Sequence, residues 1–248
     1  MKRGTSEVDY SKPLLAQVAR MGEAYDAWVL EPRAETRSTT LFANAAIERA
    51  SKTHWSAVMM FWLPVISKEI ASGFGKIRAR EGGMGEAFAA FLAFACAMWP
   101  TFEYVVHRFA FHGKSFARRR RGVWNQAHYL FHGCHHKHPN DLLRLVFPLT
   151  VSAPVGYVAY VACARAFPSG TAEFAAAGFH FGYFMYDMTH YAVHGDLFGL
   201  GDGALRRRRA AHLRHHYDDH TRGFGVTTSA LDAAFGTLAR ATATKTRS

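Results

Sequence analysis

Cysteine is scarce here. The 248 residues hold three, Cys96, Cys134 and Cys163, so no disulfide framework can be read. The opening MKRGTSEVDYSK has no apolar core and does not read as a secretory signal. No G-x-S-x-G elbow, phosphate-cradling glycine loop or H-E-x-x-H occurs. That argues against serine hydrolases, phosphate-loop enzymes and zinc proteases. Acidic residues are also few: 19 Asp and Glu face 30 Lys and Arg, for a net charge of +11. Neither of the two spaced histidine pairs described below is built as Glu-x-x-His, so a carboxylate-bridged metal bundle is excluded too.

Much of the excess positive charge sits in two runs, Arg118–Arg121 and Arg206–Arg209. No recognition-helix, zinc-finger or base-stacking motif accompanies them. They lie just beyond apolar blocks, which suits an anionic membrane surface and not nucleic acid. The apolar blocks are 55–66, 87–100, 145–163 and 173–194. A bilayer core needs about 20 apolar residues per helix, which two blocks reach outright and two reach by taking in polar ends. The expectation is an all-α integral membrane protein with four transmembrane helices, at about 54–71, 86–111, 145–167 and 172–194, paired as two hairpins. Residues 1–53 form an amphipathic cytosolic lead-in, with Leu14, Leu15, Val18, Met21, Tyr25 and Val29 at helical spacing. Residues 54–240 form the membrane-embedded domain and 241–248 a tail.

Histidine is abundant, with 15 residues, and ten of them repeat a pattern. His107 and His112 are followed by His132, His135 and His136. His190 and His194 are followed by His212, His215 and His216. Each set is a spaced pair and then H-x-x-H-H. Imidazole suits zinc, copper, iron and nickel, and ten ligands suit two ions at four to six each. His190 and His194, four apart, share a helix face. His107 and His112, five apart, converge only if the helix ends or bulges between them. With two hairpins all ten histidines, both arginine runs and both termini fall on one side, which the positive-inside rule makes cytoplasmic. Glu103 and Tyr186-Asp187 precede the two pairs, where the carboxylates could accept the second ring N–H of a ligand. Cys134 reads as a passive small residue, and His54, His128, His138, His180 and His220 as structural or solvated.

The stretches EYVVHRFAFH (103–112), FHGCHHKHPNDLLRLVFP (131–148), GYFMYDMTHYAVHG (182–195) and HLRHHYDDHTRGFGVTTSALDAAFGT (212–237) resemble the fatty acid 2-hydroxylases. These sit within the wider fatty acid hydroxylase and sterol desaturase superfamily. The lead-in KPLLAQVARMGEAYDAWV (12–29) is similar to the segment preceding the catalytic domain there. The resemblance implies a four-helix membrane domain under a cytosolic helical cap. It implies a centre of two metal ions, di-iron when active and able to take zinc, with all ten histidines as ligands. It further implies O2-dependent 2-hydroxylation of long-chain fatty acyl groups of ceramide and other sphingolipids. The membrane would be endoplasmic reticulum in a eukaryote or the inner membrane in a bacterium. Many members carry a cytochrome b5 domain. No H-P-G-G haem motif is present, so electrons are expected from a separate cytochrome b5-type donor and its reductase. Sterol and carotenoid hydroxylases or desaturases share the histidine pattern, and a non-redox membrane metal-binding protein is the reading from another class.

Overall fold

A computed structural model describes residues 8–79, 83–113, 122–195 and 203–240. The Arg118–Arg121 run and the 241–248 tail lie outside the described residues. Every regular element among the described residues is helical, with no strand. The lead-in does not form one helix. It breaks into α1 (Leu14–Arg20) and α2 (Ala24–Val29), because Gly22 between them adopts φ +57°. That turn still brings Leu14, Val18, Tyr25 and Val29 to one buried face, packed on Leu41, Tyr129 and Cys134. A short α3 (Ala45–Ala50) follows, its amide ends accepted by the Asn44 side chain.

Four long helical stretches come next. They are α4 (Trp55–Arg78), a run over Met84–Phe111, α9 (Leu149–Ala166) and α10 (Thr171–Gly195). The second run contains α5 (Met84–Ala93), a π-turn at Phe94–Met98, α6 (Trp99–Val105) and another π-turn at Val106–Phe111. The third helix starts at Leu149 and not near 145. Pro148 caps it, and residues 144–147 stay outside the helix to serve the site described below.

Two of the four, Trp55–Arg78 and Met84–Phe111, are long and apolar enough to cross a membrane, with mean hydropathies of 1.2 and 1.4. Only 28% and 22% of their apolar windows are buried, whereas the core helix of a soluble protein would be mostly covered. Met60, Phe88, Phe102 and Phe109, with Tyr157 and Val158 on α9, face outward. So broad an exposed apolar belt suits an apolar surround. The coarse expectation of an all-helical membrane protein therefore holds.

α10 is the central helix and is buried along most of its length. Small residues let its neighbours close in. A Cβ at Gly178 would stand 2.3 Å from the Phe91 carbonyl oxygen, and one at Gly182 would stand 2.5 Å from Trp99 Cβ. His180 ties three helices together. Its Nδ1 lies 2.9 Å from Glu69 on α4 and its Nε2 lies 3.1 Å from the Gly156 carbonyl on α9.

On the side where α10 ends, α7 (Val123–His128) runs through a third π-turn (Tyr129–Gly133) into α8 (Cys134–Lys137). α11 (Ala204–Tyr217) and α12 (Ala230–Ala234) are the last described helices.

Candidate metal centre

The ten histidines come together, and they sort into two groups. Centre A is His107, His112, His132, His136 and His215. Centre B is His135, His190, His194, His212 and His216. Within each group the candidate ligand atoms all lie within 4.8 Å of one another. The grouping crosses the sequence repeat: each H-x-x-H-H gives its first and last histidine to its own pair's centre and its middle one to the other. His135 and His215 are the exchanged residues.

Several ring edges already have the spacing of shared ligands. Nε2 atoms face each other at 2.9 Å in His112–His132 and His190–His135, and at 3.2 Å in His215–His136 and His216–His212. With metal–nitrogen bonds of ~2.0–2.1 Å, ligands at right angles stand ~2.9 Å apart and tetrahedral ones ~3.4 Å. The Nε2 atoms of His107 and His194 are buried without any hydrogen-bond partner. Buried polar atoms rarely go unpartnered, so a cation is the missing partner that fits. Burial, reinforced by neighbouring imidazoles, holds His112, His132, His136, His135, His212 and His216 well below the usual pKa of 6.5. Burial does the same to His215. Neutral imidazole is the form that ligates.

The spacing problem of the first pair is solved by a bulge. Val106–Phe111 is a π-turn, and the His112 amide donates to the His107 carbonyl five residues back at 3.1 Å. That bond brings the two rings to 5.1 Å. The second pair needs no such device, because His190 and His194 sit on regular α10 with rings also 5.1 Å apart.

Glu103 and Asp187 do not accept from ligand histidines. The ring N–H groups go to backbone carbonyls instead: His107 Nδ1 to Phe224 at 2.6 Å and His190 Nδ1 to Leu145 at 3.0 Å. Each carboxylate instead holds the loop that supplies that carbonyl. Glu103 accepts from the amides of Val226 and Thr227 and from the Thr227 hydroxyl. Asp187 accepts from the Phe147 amide at 3.3 Å and from the Tyr183 hydroxyl at 2.6 Å. In both halves the anchored amide lies two residues beyond the accepting carbonyl. Tyr186 stacks on His190, with centroids 5.7 Å apart and planes 15° from parallel.

The sequence reading missed the 222–228 loop as a site element. Gly223, at φ +75°, turns the chain so that the carbonyls on either side of it each meet a ligand of centre A. His215 Nδ1 donates to Arg222 at 2.7 Å, and Phe224 serves His107. Asp232 fixes the same loop through the Phe224 and Gly225 amides at 3.0 and 2.8 Å. The two glycines of GFGVTT were the available signal.

The remaining histidines have other work. His54 caps α4, and its Nδ1 lies 3.4 Å from the Ser56 amide. His138 lies between Thr39 and Tyr129. His220 is exposed, with its ring 6.1 Å from that of His112. Cys134 belongs to neither group, and burial pushes its thiol up to about 12, away from the thiolate form that binds metals.

Among the described residues, cavities reach the histidines from two directions. One, of about 310 Å³, runs down among α4, α6, α9 and α10, from His107 and His132 to Trp62, Phe179 and His180. The other, of about 260 Å³, lies under Leu41, Phe42 and Ile47 of the lead-in and reaches His135 and His190. Phe131, His132, Phe147, Val151 and Tyr186 line both.

A fatty acid hydroxylase family model matches residues 92–237, more than half of the chain. The dihydroceramide fatty acyl 2-hydroxylase FAH1 of Arabidopsis thaliana is 38% identical over 237 residues, covering 93% of each chain. The human fatty acid 2-hydroxylase is 35% identical, and the match covers 93% of this chain and 64% of that one. The solved structure of full-length scs7p, in which only the hydroxylase domain is visible, superposes with a TM-score of 0.82 at 30% identity. That match covers 95% of this chain and 87% of the other.

Proposed function

The chain belongs to the fatty acid hydroxylase family, and we propose that it is an O2-dependent monooxygenase that hydroxylates C2 of long-chain fatty acyl groups in ceramide-type sphingolipids. One observation carries this reading: an apolar, ring-lined cavity descends from two ligand histidines of centre A into the exposed apolar belt. Trp62 lies seven residues below Trp55 on α4, and His180 lies ten before His190 on α10. At 1.5 Å per residue, the cavity floor is therefore ~10–15 Å below the histidines. A saturated chain inserted that far presents its carbonyl end to the metals. The relatives' activity on fatty acyl and dihydroceramide chains supports the same assignment.

Two neighbouring cavities that share a wall favour a two-part lipid, with the acyl chain below and the remainder under the lead-in. Arg144, the cation among the described residues that line the cavity under the lead-in, is already engaged by Glu48, Ser51 and the Thr39 carbonyl. It is therefore committed elsewhere when a phosphate-bearing acyl carrier approaches, which favours an uncharged lipid amide.

Centres A and B each hold one metal ion, iron in the active form, with zinc able to occupy the same nitrogens. When bound, the pair supplies the O2 chemistry. The chain's part is to keep the imidazoles of the two clusters neutral, to orient His190 and His107 through the 145 and 224 carbonyls, and to exclude water with Phe131 and Phe147, which stack at 6.0 Å. Four helices, α4, Met84–Phe111, α9 and α10, cross the bilayer within a domain of residues 54–240. The histidines and the lead-in lie on the cytoplasmic side, in endoplasmic reticulum or a bacterial inner membrane. Electrons come from a cytochrome b5-type donor with its reductase. The test is reconstitution with iron, reductant chain and an N-acyl lipid deuterated at C2. Loss of one label with a 2-hydroxy product is expected, and oxidised product that retains both labels overturns the reading.

A further inference from the structure

The lead-in does more than cover the membrane domain. Tyr25, fully buried on α2, places its hydroxyl 2.6 Å from His128 Nδ1, and His128 Nε2 lies 3.1 Å from the Phe111 carbonyl. A carbonyl can only accept, so Nε2 carries the hydrogen and Nδ1 accepts from the tyrosine. This is the arrangement of a neutral imidazole. Phe111 closes the π-turn and is the residue before His112. Its ring is held as well, stacked on His132 at 4.6 Å and 9°. His128 itself stands four residues before His132. The fit is close: a Cβ at Gly133 would lie 2.5 Å from the Tyr25 hydroxyl and 2.8 Å from Val29. A wider π-turn is less favourable than a regular helix and persists where surrounding structure holds it.

We infer that Tyr25 and His128 are positioning residues of centre A: the tyrosine–histidine–carbonyl chain holds the Phe111 end of the π-turn so that His112 stands beside His107. The inference rests on the two-centre reading above. Centre B takes its pair from regular helix and does not depend on this chain. This chain from the lead-in therefore bears on the spaced pair of centre A and not on that of centre B.

The experiment uses the full chain in detergent, loaded with zinc, with metal per chain and resistance to a competing chelator as readouts. Wild type is expected to hold two ions. In Tyr25→Phe one ion should become easier to extract by ~10-fold or more, the scale seen for residues behind metal ligands. In His128→Ala that ion should be absent while the other keeps wild-type resistance, which also reports that the fold is intact. His128→Gln, which can still donate to Phe111, should recover part of the loss. Placing Tyr25→Phe in a His190→Ala background should weaken the single remaining ion. Two ions of wild-type resistance in both variants, or loss of both ions together, overturns the inference. A wild-type chain holding fewer than two ions overturns the two-centre reading itself.

Discussion

Centres A and B present the same five-imidazole composition, reached by different routes. Both have a spaced pair, a carboxylate one helical turn before it, and a loop carbonyl that orients the first ring. In B the pair lies on α10, where four residues bring two side chains to one face without help. In A the pair is five apart and needs the π-turn. It also needs the Tyr25–His128 chain and the Gly223 loop, which orients two of its ligands. A regular helix fixes a pair locally, whereas an irregular one must be held by distant segments. Centre A should therefore be the more easily disturbed.

The exchange of middle histidines gives the largest test. His135→Ala and His136→Ala, neighbours in sequence, should empty different centres, B and A respectively. Each should lower 2-hydroxylation by more than ~100-fold, beyond the range of changes behind the ligands. Zinc content identifies the centre. His135→Ala combined with His190→Ala should still leave one ion, and combined with His107→Ala none.

Acid should act on both centres together. The folded pKa values of His132, His136, His135 and His216 lie below 6.5, so below that pH the unfolded chain binds protons that the folded one does not. The stability of metal-free protein is therefore present above about pH 6.5. It falls as pH drops toward the folded values. Thermal melts of the apo protein from pH 8 to 5 measure this, and stability that rises with acid would contradict it.

Glu103→Ala and Asp187→Ala separate the centres again. The first should weaken zinc at A and the second at B, each by about 10–100-fold in chelator competition. Gly223→Ala should affect A alone, through a strained φ worth about 1–2 kcal/mol, read as easier loss of one ion. The smallest effect belongs to His54→Ala, which removes a helix cap worth about 1 kcal/mol or less and should leave both ions in place.

Much of the site was legible because its chemistry is carried by one residue type in a repeated spacing. The ten histidines, their division into pairs and clusters, and the need for a bulge between His107 and His112 all follow from counting along a helix. The helices were legible from apolar runs. The partners of Glu103 and Asp187 were not, because backbone carbonyls at 145 and 224 leave no mark in residue identity. Tyr25 and His128 were not, because they are 103 residues apart in sequence.

Sequence alone determined that two five-histidine sets meet at the ends of apolar helices, since helix periodicity and hydrophobic burial act locally. In H-x-x-H-H the first and last rings lie ~40° apart around a helix, while the middle one lies ~60° to the other side. That spread of ~100° predicts three rings on one helix face, yet the structure sends the middle ring of each cluster to the other group. Which group it joins is decided by the segment it faces, and only the packing of the two clusters against each other puts His135 with group B and His215 with group A.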